Sequence, residues 1–145
     1  MQDFVHLHVH TQYSLLDGQA SVARLVDKAM QNGMKGIAVT DHGNMFGIKE
    51  FTNYVNKKNS GPKGEIKDLK KRLVGIEAGS IECEDKEAEV AACKAKIVEA
   101  ENKLFKPIIG CEMYVARRTM DLKEGKQDQS GYHLIVLAKN ETGYH

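Results

Sequence analysis

Histidines recur at every second position near the start of this chain. His6, His8 and His10 lie in FVHLHVHTQYSLLDG, and Asp41 and His42 lie in VTDHGNMFG. A two-residue period is that of a strand, so the spacing predicts three imidazoles on one face and apolar partners on the other. Imidazoles gathered inside a fold are costly to bury unless something holds the rings. Neutral imidazole is the commonest ligand for zinc and its neighbours, and Asp17, Asp41 and His42 stand in loops that could follow strands. The pattern points to a metal site rather than to a solvent-facing edge strand that is merely rich in histidine.

The elements that must position these groups read as strand, helix, strand, helix. A first strand is expected over Phe4 to Val9, followed by a polar loop over Thr11 to Gln19. Ser21 is the expected N-cap of a helix carrying Val22, Leu25, Val26, Ala29 and Met30 on one stripe, ended by Gly33. GIAVT (36–40) is a short apolar strand. The loop DHGN then opens into a second helix with Ile48, Phe51, Tyr54 and Val55 inward. Such an alternation implies an α/β fold with a parallel sheet, open or closed into a barrel. Ligand sites in these folds lie at the C-terminal ends of the strands, where both His10 and the Asp41-His42 pair would fall.

Residues 57–106 break the rhythm with a strongly charged composition. SGPKG (60–64) reads as a hinge-like opening, and Lys67 to Leu73 as a short helix. Asp85 to Leu104 is a good helix by propensity, with Val90, Cys93, Ile97, Ala100 and Leu104 on a narrow stripe. The stretch is expected to be an inserted helical hairpin lying outside any metal cleft. Strand character returns at KPIIGCEMYV (106–115), with Glu112 near its end. After a polar stretch over 117–131 comes GYHLIVLAK (131–139), with His133 near its start. That last strand, read as parallel, has no following helix to cover it, which suggests an incomplete domain with an exposed edge.

Composition sets limits. A chain of 145 residues is one domain in size, and a formal net charge of +1 supplies no basic field for freestanding nucleic-acid binding. No apolar run reaches membrane-spanning length and no signal pattern opens the chain. Cys83, Cys93 and Cys111 are odd in number and lack paired spacing, so they read as reduced thiols. The expected setting is the cytoplasm.

The stretches FVHLHVHTQYSLLDG, GIAVTDHGNMFG, KPIIGCEMYV and YHLIVLAKNETGYH, in that order, resemble the start of the bacterial DNA polymerase III alpha subunits. That start is a polymerase and histidinol phosphatase (PHP) domain. The histidine pair and TDH mark the wider superfamily, and the extensions DHGNMFG and KPIIGCEMYV point to the polymerase branch. The resemblance implies a distorted (β/α) barrel, of which residues 1–145 would be an incomplete N-terminal portion carrying the 57–106 insertion. It implies metal ligands at His8, His10, Asp17, His42, Glu112 and His133, with Asp17 and His42 also serving the reaction. The family's remaining ligands come from the second half of the barrel. His6 is implied to make structural hydrogen bonds. Glu77, in a second GxE at 75–77, is set aside because it sits inside the charged insertion.

The implied cofactor is a divalent metal, zinc or manganese, with iron as a further option, and the implied chemistry is phosphoester hydrolysis. The parent would be a DNA-directed DNA polymerase whose PHP site is either a 3′–5′ exonuclease or a scaffold. Its partners would be DNA and other replicase subunits, including a proofreading exonuclease subunit. A fragment of it could self-associate through the exposed sheet edge. The alternative is a freestanding PHP phosphatase acting on a small phosphorylated metabolite.

Overall fold

A computed structural model describes residues 4–145 of the chain. It divides into two compact units, one running to Val55 and resuming over Lys106–His145, the other spanning Asn56–Phe105.

The first unit is a small mixed α/β layer. Helix α1 (Val22–Gln31) begins where the Ser21 side chain accepts a hydrogen bond from the Arg24 N–H, and it buries Val22, Val26 and Ala29. Leu25 is half-buried and Met30 exposed, so the buried stripe is narrower than the sequence pattern. Gly33, at φ 75°, turns the chain out of the helix. Strand β1 (Gly36–Val39) is buried throughout. Helix α2 (Ile48–Lys58) buries Ile48, Phe51 and Val55. Its Tyr54 stays half-buried because the hydroxyl donates to Asp27 Oδ2 at 2.9 Å.

Strand β2 (Lys106–Val115) is central, parallel to β1 and antiparallel to β3 (Tyr132–Leu137). The parallel register runs from Gly36 opposite Lys106 to Val39 opposite Ile109, and the same offset returns at a bridge between His42 and Glu112. The sheet is therefore mixed and unclosed. The reading of the last strand as parallel is corrected here, since β3 returns along β2 in the opposite sense. A one-turn helix α5 (Glu141–Tyr144) follows it.

The expected first strand is also corrected. Residues 4–10 form no regular strand, although they run beside β1. The Ala38 N–H donates to the His6 carbonyl and the Thr40 N–H to the Val9 carbonyl, both at 2.9 Å. Three steps along the first segment match two along β1, so one extra residue is accommodated at the bend over Leu7 and His8. The hydroxyl of Thr40 then serves the Val9 N–H at 2.9 Å in place of a carbonyl. An extra residue breaks the two-residue alternation, as a bulge does. His6 accordingly parts from His8 and His10: it lines a hollow with Leu25, Ala29 and Ile37.

The second unit is a helical hairpin of α3 (Ser60–Glu77) and α4 (Lys86–Asn102). The expected hinge at 60–64 is instead the first turn of α3, and the helix is far longer than Lys67 to Leu73. Pro62 is tolerated because its missing N–H falls among the first four donors of a helix, which have no partner within it. Asp85 caps α4 by accepting from the Ala88 N–H, and Cys93, Ile97 and Ala100 are buried. The buried Asn59 ties the two ends of the unit together, donating to the Phe105 carbonyl at 2.8 Å and accepting from its N–H at 2.9 Å.

No helix among the described residues is long and apolar enough to cross a membrane. Removing Asn59 strands a buried N–H and a buried carbonyl, each costing about 1–3 kcal/mol. Asn59→Ala should therefore lower unfolding stability by about 2–4 kcal/mol in urea titration, whereas Ser60→Ala beside it should change little.

Candidate metal centre

Position and register assemble the site. The 41–43 loop leaves β1 while still paired with β2, since the Glu112 N–H donates to the Asp41 carbonyl at 3.1 Å and the Gly43 N–H to the Glu112 carbonyl at 2.8 Å. His42 and Glu112 are thereby held side by side. Antiparallel pairing sets His133 opposite Tyr114, two residues beyond Glu112 on β2. The segment beside β1 delivers His8 and His10.

Asp41 organises the loop that carries Asp17. It is fully buried and accepts from the Thr11 N–H at 2.6 Å, the Thr11 hydroxyl at 2.9 Å and the Ser14 hydroxyl at 2.8 Å. The Ser14 oxygen in turn accepts from the His42 N–H at 3.0 Å. Asp41 thus spends its oxygens on the loop and offers none to a cation, a division of labour between neighbouring acids that composition could not reveal. Thr11 and Ser14 were not singled out by the sequence; the only trace is two small hydroxyl residues three apart in a polar loop.

All six residues expected as ligands come together. His8 Nε2 and His10 Nε2 lie 3.1 Å apart and approach Glu112 Oε2 at 3.1 and 2.5 Å. His133 Nδ1 approaches the other oxygen, Oε1, at 2.8 Å. His42 Nδ1 lies 3.6 Å from both Glu112 Oε2 and Asp17 Oδ2, and Asp17 Oδ2 also contacts His10 Nδ1. Three sets of donor atoms each fall within 4.8 Å of one another: His8, His10 and Glu112; His10, Asp17 and His42; His42, Glu112 and His133. Glu77 and Glu99, both in the helical unit, belong to none of these sets.

The donor chemistry fits a divalent cation. Two imidazole nitrogens at 3.1 Å repel through their lone pairs unless a proton or a cation stands between them. Mixed nitrogen and carboxylate donors suit zinc, manganese or iron better than magnesium. A neutral imidazole has one lone pair, so His10, approached by carboxylates at both nitrogens, can serve only one ion at a time. Cys111 belongs to none of these donor sets: burial, aided by the negative charge of Asp41, pushes its thiol up, and its sulfur faces the carbonyls of Asp41 and Asn44 at 3.5 Å.

Glu112 is the electrostatic centre. Burial alone would raise its pKa, but hydrogen bonds from His8, His10 and His133, with the charge of His10, outweigh burial and bring it down to about 2. Asp17 is half-exposed at the mouth of a cleft of about 500 Å³ lined also by Tyr13, Leu16, His42, Phe46 and Tyr114. Tyr114, which the sequence did not flag, hydrogen-bonds through its hydroxyl to His42 Nε2.

Clustered histidines on the β1 loop and on β2's partner strand form a group that could hold metal, and the family model for the PHP domain matches residues 6–97. The chain belongs to the PHP domain family. It is 39% identical over 142 residues to DNA polymerase III subunit alpha of Treponema pallidum and 38% identical over 144 residues to that of Borreliella burgdorferi. It is 31% identical over 148 residues to that of Aquifex aeolicus. These matches cover 97, 97 and 98% of the chain but only 8, 8 and 9% of the relatives, and they fall in the N-terminal region of those subunits.

A carboxylate whose folded pKa lies below its ordinary value of 4.5 adds stability above that value and loses it as pH falls toward about 2. Metal-free protein should therefore lose stability across that acid window. Glu112→Gln should flatten the loss in urea titrations repeated from pH 6 to about 2. Asp41→Ala should destabilise by about 3 kcal/mol, since it leaves three buried donors without an acceptor.

Proposed function

We propose that the chain is the N-terminal portion of a PHP-type distorted (β/α) barrel at the head of a DNA polymerase III alpha subunit, with residues 57–106 as a charged helical insertion. The reading is supported by the match along nearly the whole chain to relatives that are DNA polymerase III alpha subunits. On this reading the parent is a cytoplasmic DNA-directed DNA polymerase. Its partners are DNA and the other replicase subunits, a proofreading exonuclease subunit among them.

The PHP site itself is read as a metal-dependent phosphoesterase acting on phosphodiesters, a 3′–5′ exonuclease in the parent. The observation that carries this is the split of Glu112, whose Oε2 faces His8 and His10 while Oε1 faces His133. A carboxylate so placed would offer a donor on either side, with His8 and His10 or with His133, and Asp17 and His42 would offer another pair of donors. Divalent ions, when bound there, acidify water and offset charge on phosphoryl oxygens. The chain's own part is to orient and exclude. Glu112 and its histidines fix the anionic centre at the sheet, and Asp17, half-exposed in the cleft, would hold its cation within reach of an entering phosphodiester. The apolar Leu16 and Phe46 border the route in.

A scaffold without hydrolysis is the second reading, and it is favoured if the cluster takes up no metal. Zinc and manganese analysis of the 145-residue chain against a complete barrel decides between them. The chain should bind more weakly and with lower stoichiometry than the barrel, because fewer donors offset the dehydration of the ion. Glu112→Gln should cost about tenfold or more in zinc affinity in either protein. Undetectable metal in the complete barrel would sink the hydrolase reading.

Among the described residues strand β3 has β2 as its one neighbour in the sheet, and Leu134 and Val136 are exposed on it. Edges of this kind pair with other chains. We expect the chain to self-associate in sedimentation experiments, and Val136→Lys to return it to monomer.

A further inference from the structure

The two ring nitrogens of His42 look in different directions. Nδ1 faces the carboxylates, 3.6 Å from Asp17 Oδ2 and from Glu112 Oε2, whereas Nε2 meets the hydroxyl of Tyr114. Tyr114 is not a buried filler: it is 60% exposed, at the rim of the cleft. Its ring nonetheless stands edge-on to two imidazoles, with centroids 4.9 Å from His42 and 5.1 Å from His133. Strand pairing sets it there, since Tyr114 is the register partner of His133. The backbone makes room for it as well. Gly43, at φ 67°, has no side chain, and a Cβ at that position would lie 3.0 Å from Tyr114 Cε2.

We propose that Tyr114 is a positioning residue that accepts the Nε2–H of His42 and so commits the Nδ1 lone pair to the cation shared with Asp17. The proposal rests on the metal-site reading above. An imidazole ligand is defined by what its other nitrogen does: a partner there selects the tautomer and stops the ring from rotating about its bond to Cβ. His10 and His133 meet Glu112 directly, but His42 Nδ1 is 3.6 Å from its carboxylates, too far for them to orient the ring by hydrogen bonding. The hydroxyl of Tyr114 supplies that orientation. The glycine after His42 serves both the left-handed turn, at φ 67°, and the close approach of the aromatic ring.

The test compares the full chain with Tyr114→Phe, which keeps the ring and removes the hydroxyl, and with Tyr114→Ala, which removes both. Nitrogen-15 NMR of the metal-free wild type should show His42 protonated at Nε2, and Tyr114→Phe should show a mixture of tautomers. Zinc titration by calorimetry should show the binding event that His42→Ala abolishes weakened about tenfold or more in Tyr114→Phe, with the melting temperature unchanged. Wild-type zinc affinity and an unchanged tautomer in Tyr114→Phe, with only Tyr114→Ala impaired, would reduce Tyr114 to packing and overturn the proposal while leaving the metal site intact. A wild-type His42 protonated at Nδ1 would overturn it independently of any variant. Zinc absent from the complete barrel as well as from this chain overturns both readings, and the tautomer of the metal-free chain tests the role of Tyr114 in either case.

Discussion

A single buried carboxylate sets the terms for the rest of this structure. Glu112 sits in the central strand with almost no solvent and receives imidazoles at both oxygens. An ionised carboxylate in that position is tolerated only when hydrogen bonds and charge replace its lost hydration. The histidines supply them, and the cost of burial explains why groups from three separate segments crowd onto one residue. Remove the imidazoles and the pKa of the acid rises; remove the acid and the imidazoles face one another.

Backbone pairing makes that crowding reproducible. The parallel register of β1 and β2 persists past the end of the regular strand, so that His42 and Glu112 are opposed by the same offset that opposes Gly36 and Lys106. The antiparallel return of β3 brings His133 alongside Tyr114. Asp41 completes the arrangement by drawing the 11–17 loop onto the sheet through Thr11 and Ser14. The site is thus a product of strand register on one side and of one buried hydrogen-bonded acid on the other. Neither device involves the helical unit, whose own coherence rests on the α3–α4 hairpin and on the Asn59 clasp.

Much of this was legible in the residues. Helix α1 with its serine cap, the short apolar β1, the apolar face of α2 and the stripe of α4 all follow from local rules that need few distant contacts: capping, periodicity and propensity. The types and spacing of His6, His8, His10, Asp17, Asp41 and His42 pointed to metal-ligand chemistry before any fold was considered, although His6 and Asp41 fall outside the three donor sets. The resemblance to PHP domains added Glu112 and His133 to that set, and the structure brings the six together.

What local rules could not supply was decided by tertiary context. The alternation of three histidines promised one shared face, yet an extra residue at the bend beside β1 sends His6 toward α1. A bulge depends on the neighbouring segment and leaves no mark in the period itself. Gly61 and Pro62 read as a hinge but lie in a helical first turn, where a missing donor costs nothing. The sense of β3 depended on how the chain returned over 116–131, and the hydrophobic pattern of a strand is the same in either direction. The roles of Asp41 and Tyr114 emerged only with three dimensions, because a buried acid that braces a loop and one that faces a cation have the same side chain. Chemistry is written in residue types, and its geometry in the pairings that bring distant residues together.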